Sequence, residues 1–202
     1  TPAMATNYCI GADEQFVEKP DILAIEHVRG EPVTDPVAGS VYLRATTSSG
    51  ILLQYSAAPV MGQVDWEYVP RIYYIRNVPD PDNAANLIPT LSMKYLDVLS
   101  MDNREDLVDG IEDIQIEFGI NTATGTNIGI TPAYYTESPD ATALRNAVTA
   151  RIHVLVRSRE QEATALNRTY KLGVKTVARN DKWRRRVFTT TVSLRNPAYQ
   201  NK

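Results

Sequence analysis

Only one cysteine, Cys9, stands in the 202 residues, so no disulfide closes within the chain and cysteine usage leaves the redox compartment open. There are two histidines, His27 and His153, and neither has a second histidine or a cysteine at metal-ligand spacing. No G-x-S-x-G elbow and no phosphate-cradling P-loop is present. No apolar run approaches the roughly 18 residues of a membrane helix, and no charged-then-apolar leader opens the chain, which starts at Thr1. The net charge of −3 supplies no global drive toward nucleic acid or an anionic membrane. The common signatures of metal-dependent, nucleophilic and nucleotide-dependent catalysis are therefore missing.

What the sequence does hold is β-strand patterning. Hydrophobic residues make up 43% and charged residues 22%, the balance of an ordinary globular protein. Phe188, Thr190, Val192 and Leu194 alternate with Thr189, Thr191, Ser193 and Arg195. A period of two places apolar groups on one sheet face and polar groups on the other. The same alternation runs through Ile114–Phe118 and Ile152–Arg157, and weaker strand patterns cover 21–28, 41–46, 50–56, 71–76 and 169–177. Turn signals separate them at Arg29–Pro32 and Ser48–Gly50. A loop spans Val78–Asn83, where two prolines deny donors to any ladder, and a long polar excursion spans Asn121–Pro132.

Two short helices are predicted. The first covers Asp102–Ile111, capped by Asp102 or Asn103, acidic in its first turn and closed by Gly110. The second covers Ser138–Val148, with Ser138 as cap and Pro139 in the first turn. On the first helix, Asp106, Asp109 and Asp113 would share a face, and a solvated acidic face is the expectation over a metal site. Asp80, Asp82 and Asn83 offer oxygens to calcium, but Pro81 intervenes and no EF-hand pattern follows. Neither histidine is expected to ligate a metal; both fall inside predicted strands. Tyr73-Tyr74 and Tyr134-Tyr135 are adjacent pairs that should split between core and solvent. The expected fold is mainly β, with few helices, as one domain over residues 1–202 whose ends, 1–19 and 197–202, are irregular.

One charged group is a candidate contact site: Lys182, Trp183, Arg184, Arg185 and Arg186. Clustered cations beside an aromatic ring can hold a phosphate backbone and stack a base. Charges at the entrance of an edge strand also deter unwanted strand pairing. A solvated edge or a protein contact is the favoured reading here.

Four segments together resemble the PilW family of type IV pilus minor pilins, which is similar to the J-type minor pseudopilins of type II secretion. They are Arg71–Asn77, Glu105–Ile120, Ala150–Ser158 and Arg185–Asn196, and the resemblance spans roughly residues 20 to 197. The second, taken as a helical turn leading into a strand, and the fourth are the more specific. The family's tryptophan before the third segment is absent, since Ala141–Val148 occupies that region.

The resemblance implies an α+β, mainly β, pilin-like globular domain with antiparallel sheets and one or two short helices. It implies that a basic leader and an N-terminal hydrophobic pilin helix belong to the whole protein and lie outside this sequence. It implies a non-enzymatic subunit without cofactors that primes pilus assembly and sits in the tip complex. Expected partners are other minor pilins, the major pilin and a large tip adhesin, with no small-molecule substrate and membrane contact only through the helix. The implied location is the inner membrane, domain in the periplasm, before assembly and the extracellular pilus tip afterwards. The alternatives are a secretion-system pseudopilin and a tip subunit contributing to DNA or surface binding.

Overall fold

The computed structural model describes residues 10, 20–98, 100–122 and 131–194. Cys9, most of the 121–132 excursion and the end of the closing segment, Arg195 and Asn196, lie outside the described residues. Among the described residues the chain is mainly β, with 66% of them in strands and 3% in helix, and every pair of described strands is antiparallel. It divides into two compact units, one containing Ile22–Asp109 and the other Lys19–Asp21 with Gly110–Lys202.

The first unit is a six-stranded sheet. Its strands are β1 (Leu23–Val28), β2 (Val41–Ala45), β3 (Gly50–Gln54), β4 (Val64–Pro79), β5 (Leu87–Asp97) and β6 (Ser100–Asp109). The order is β3-β2-β4-β5-β6, with β1 also paired to β4. The 16-residue β4 organises the sheet: Val64–Glu67 pair with β2, and Tyr68–Tyr73 pair with β1. The 71–76 pattern is thus one part of a longer strand. Tyr74 and Ile75 are fully buried; Tyr74 and Ile72 pack with Ile10, and Ile22 and Met101 flank them. The loop expected at Val78–Asn83 is corrected at its start: Val78 and Pro79 belong to β4, paired with Ile88 and Leu87, because a proline at the last position of a strand costs the ladder little, and only from Asp80 does the chain turn back toward Leu87.

Residues 102–109 correct the helix expectation. They belong to β6, and the strand wins because its charges find partners across the sheet. The Arg76 guanidinium donates to both oxygens of Asp106 at 2.9 and 3.1 Å, and the Ser92 hydroxyl donates to Asp106 at 2.6 Å. The Thr90 hydroxyl donates to Asp109. A solvated helix would forgo these bonds. Gly110 does take the left-handed conformation that ends many helices, at φ 80, but here it joins two strands. A Cβ there would lie 2.8 Å from the Arg157 carbonyl oxygen, so only glycine fits.

The second unit is a four-stranded sheet of order β10-β9-β7-β8. Its strands are β7 (Ile111–Ile120), β8 (Tyr134–Thr136), β9 (Ala147–Leu172) and β10 (Lys175–Ser193). One short helix, α1 (Ala141–Arg145), precedes β9. It falls in the second expected helical stretch but is shorter at both ends: the cap is Asp140, whose carboxylate accepts from the Ala143 N–H at 2.7 Å, and not Ser138, and Ala147 and Val148 already belong to β9. Asp21 lies along β7: its N–H donates to the Ile114 carbonyl, and its carboxylate accepts from the Ile116 N–H at 2.7 Å.

β9 and β10 form one long hairpin, so the 169–177 pattern is not a single strand but the hairpin's tip. Gly173, at φ 60, begins a two-residue turn with Val174, a place where the hairpin twist favours glycine. Two register shifts interrupt the ladder, between Asp181 and Trp183 and between Trp183 and Arg185. Bulges increase twist and bend a strand. The tip consequently folds back on its own base: Leu172 and Val177 pack on the fully buried Leu155. Gly173 lies against the Glu117 carboxylate and the His153 ring, and the Lys175 ammonium reaches Asp113 at 2.7 Å. The alternation in β7 is real, but its polar residues Asp113, Gln115 and Glu117 are buried, since the hairpin tip contributes to covering that face.

Candidate functional site

The basic group 182–186 sits at the bulged bend of β10, and the bend separates its members. Arg185 points inward, with its side chain 3% exposed. Its guanidinium donates to both oxygens of Glu112, at 2.5 and 2.9 Å, and to both of Asp181, at 2.5 and 2.8 Å. A fifth donation goes to the Trp183 carbonyl. Every face of the planar fork is used, which suits arginine and not lysine. The Arg185 hydrogen bond, helped by the Trp183 N–H, holds the Asp181 carboxyl below the usual carboxylate range against a partial burial cost.

Trp183 is half-buried, with the Arg157 guanidinium stacked 4.2 Å from its ring centre. Burial, reinforced by the charge of Arg185, lowers the Arg157 pKa, while Glu112 at 3.8 Å opposes the shift. The remaining three cations face solvent. Arg184 pairs with Glu162 at 2.7 Å across the hairpin, Arg186 lies 5.2 Å from the Phe188 ring centre, and Lys182 is exposed. The cluster therefore offers exposed charge on Lys182, Arg184 and Arg186 only.

Downstream of the bend, β10 opens to solvent. Phe188 is 51% and Val192 42% exposed, and every residue from 188 to 193 is exposed. β10 pairs with β9 on one side, and no described strand pairs with the other.

Three further groups escaped the sequence reading because they join distant residues. Glu117, His153 and Thr189 form a line across β7, β9 and β10, with ring nitrogens 3.0 Å from the Glu117 carboxylate and 2.9 Å from the Thr189 hydroxyl. Both ring nitrogens of His153 are satisfied, as expected of a strand histidine. The Arg151 guanidinium sits 3.7 Å over the Tyr135 ring. In the first unit, Arg44 clamps the buried Asp65 at 2.7 and 2.8 Å, where β2 and β4 set the two residues opposite each other. Charge complementarity between such pairs is visible in no local motif.

The acidic groups do not converge. Asp106 is held by Arg76, Glu112 by Arg185 and Asp113 by Lys175, while Asp80 accepts from the Asp82 N–H inside a turn. Among the described residues, no group of three or more histidine, cysteine, aspartate or glutamate side chains is placed to hold a metal ion. No described helix is long and apolar enough to cross a membrane.

The architecture is that of an antiparallel β protein in which the buried Asp65, Arg76, Asp113, Glu117 and Arg185 are held in internal ion pairs. The family profile of type IV pilus-assembly protein W matches residues 72–196, from β4 to beyond β10. The chain belongs to this PilW family and is a type IV pilus-assembly protein. Association with the cell envelope or pilus, and interaction with other pilus components, follow from that membership. No curated protein and no solved structure matches the chain.

Proposed function

We propose that the chain is a non-enzymatic minor pilin subunit that helps prime type IV pilus assembly and occupies the tip complex. The observation that carries this reading is the PilW match, which covers more than half of the sequence and all of the second unit's described sheet. In this reading the subunit works by surface complementarity, while the buried Asp65, Asp113 and Arg185 serve the fold through their ion pairs with Arg44, Lys175 and Glu112. The domain is pilin-like in this reading, and its two units act together as one subunit over residues 1–202. Its partners are other minor pilins and the major pilin, with a large tip adhesin beyond them. Attachment to the inner membrane before assembly falls to an apolar helix of the kind the resemblance implies, and the domain then lies in the periplasm. The solvent-facing members of the basic group, Lys182, Arg184 and Arg186, belong to the contact surface, with Trp183 and Arg185 shaping it from within.

The test is affinity purification of the full-length protein from cells that make pili. Stoichiometric recovery of other minor pilins is expected. Recovery of secretion-system pseudopilins instead would move the protein to that machinery, and recovery of neither would sink the assembly role.

A further inference from the structure

We infer that the free edge of β10, from Arg186 to Ser193, receives an extended segment of another pilus subunit as an added strand. The inference rests on the assembly reading and specifies where and how contact is made. Its first support is the backbone. The Leu194 N–H donates to the Val148 carbonyl, which fixes that pair as hydrogen-bonded in the β9–β10 ladder. Hydrogen-bonded and non-bonded pairs alternate along an antiparallel ladder. Val187, Thr189, Thr191 and Ser193 therefore aim their N–H and C=O groups away from β9, along an edge that no described strand occupies.

The second support is the lack of protection. Sheet edges are usually blunted by charges, proline, bulges or brevity. Here both register shifts lie before Arg185, and the stretch Phe188-Thr189-Thr190-Thr191-Val192-Ser193 has no charge and no proline. Aromatic and β-branched residues without charge are what strand addition favours. Phe188 and Val192, on one face and both exposed, offer apolar sockets to alternate side chains of an incoming strand.

Charge selects the occupant. Arg186 stands exposed at the start of the edge over the Phe188 ring, with no described carboxylate paired to it. A strand bringing a carboxylate to Arg186 and apolar or threonine side chains to Phe188 and Val192 fits. A second copy of β10 does not, because from Arg184 to Ser193 it carries three arginines and no acid.

The experiment uses the tagged full-length protein in piliated cells, with co-purified pilus subunits quantified by mass spectrometry. Thr191→Pro removes an outward N–H and no ladder bond, so the fold should persist. Arg186→Glu reverses an exposed charge and serves even if the proline variant fails to fold. Each should lower recovery of the partner subunit about tenfold, the effect of losing one to two hydrogen bonds or one ion-paired contact. Thr191→Val should recover wild-type amounts. Wild-type recovery by folded Thr191→Pro and by Arg186→Glu overturns the edge inference while leaving the assembly reading intact. No pilus subunit recovered by the wild type overturns the assembly reading itself. A wild-type homodimer that Thr191→Pro abolishes overturns the choice of partner.

Discussion

Replacing Arg185 by methionine should unfold the second unit more readily than any other change in the basic group. The side chain is 3% exposed and Glu112 is 9% exposed, so the pair is shielded from water. Removing one member of a buried pair strands the other charge, at a cost of about 3–5 kcal/mol. Two features reduce that cost here. Asp181 is 35% exposed and can be hydrated, and Arg157 remains 3.8 Å from Glu112. The lower end, about 3 kcal/mol, is therefore expected for Arg185→Met. For a unit of this size, 1 kcal/mol shifts the melting temperature by roughly 4–8 °C, so a fall of more than about 10 °C should be plain. The chain has two tryptophans, Trp66 and Trp183, and Trp183 touches the cluster. In a Trp66→Phe background, Trp183 fluorescence reports the second unit alone, which matters because two units need not melt as one. Adding Glu112→Leu to Arg185→Met should recover at least about 1 kcal/mol, since the stranded charge is gone. Arg184→Ala and Arg186→Ala should stay within about 0.5 kcal/mol of the parent. A loss below about 1 kcal/mol for Arg185→Met, or equal effects at all three arginines, would refute the buried-cluster argument.

Three other outcomes follow from the geometry. Gly173→Ala should cost more than Gly62→Ala: both have positive φ, worth about 1–2 kcal/mol, but a Cβ at 173 also meets the Glu117 carboxylate at 2.9 Å while 62 is open; thermal denaturation of the two variants compares them. Burial raises the Asp21 pKa despite the Ile116 N–H, so its folding contribution is fullest below about pH 3.8 and is lost as pH rises through the folded value. Asp21→Asn keeps an acceptor for that N–H and should leave stability at pH 7 equal or higher, an advantage that shrinks toward pH 4; chemical denaturation at both pH values checks the sign. Asp106 behaves oppositely. Burial works against its ionised form, but the Ser92 hydroxyl and the Arg76 guanidinium prevail and lower its pKa. Its contribution is present above about pH 3.8 and is lost as pH falls through the lower folded value, so Asp106→Asn should flatten the acid limb of the first unit's unfolding curve.

Much of the sheet was legible because period-two alternation is a local signal. The patterns at 114–118, 152–157 and 188–194 fall in or across β7, β9 and β10. Residues 102–109 failed because acidic residues after a plausible cap mimic a helix start; the partners that hold them in a strand, Arg76, Thr90 and Ser92, lie at least 14 residues away. β5 carried no clean alternation, since Ile88, Pro89 and Thr90 are buried in succession. The hairpin's fold-back depends on register shifts that no residue type announces, and it hides the polar face of β7 that alternation alone assigns to solvent. The basic group could be read as a charge cluster, but not as one buried clamp beside three exposed cations. That division comes from the bend and from Glu112, 73 residues from Arg185. The resemblance to PilW rested on segments of β4, β6, β7, β9 and β10, and the family profile covers residues 72–196 of the roughly 20 to 197 over which the resemblance extends.

The most direct measurement is the number of surface pili on cells carrying a clean deletion, with and without the wild-type gene restored. A pilus-priming subunit predicts few or no pili in the deletion and recovery on complementation. Normal piliation and normal twitching in the deletion would contradict it.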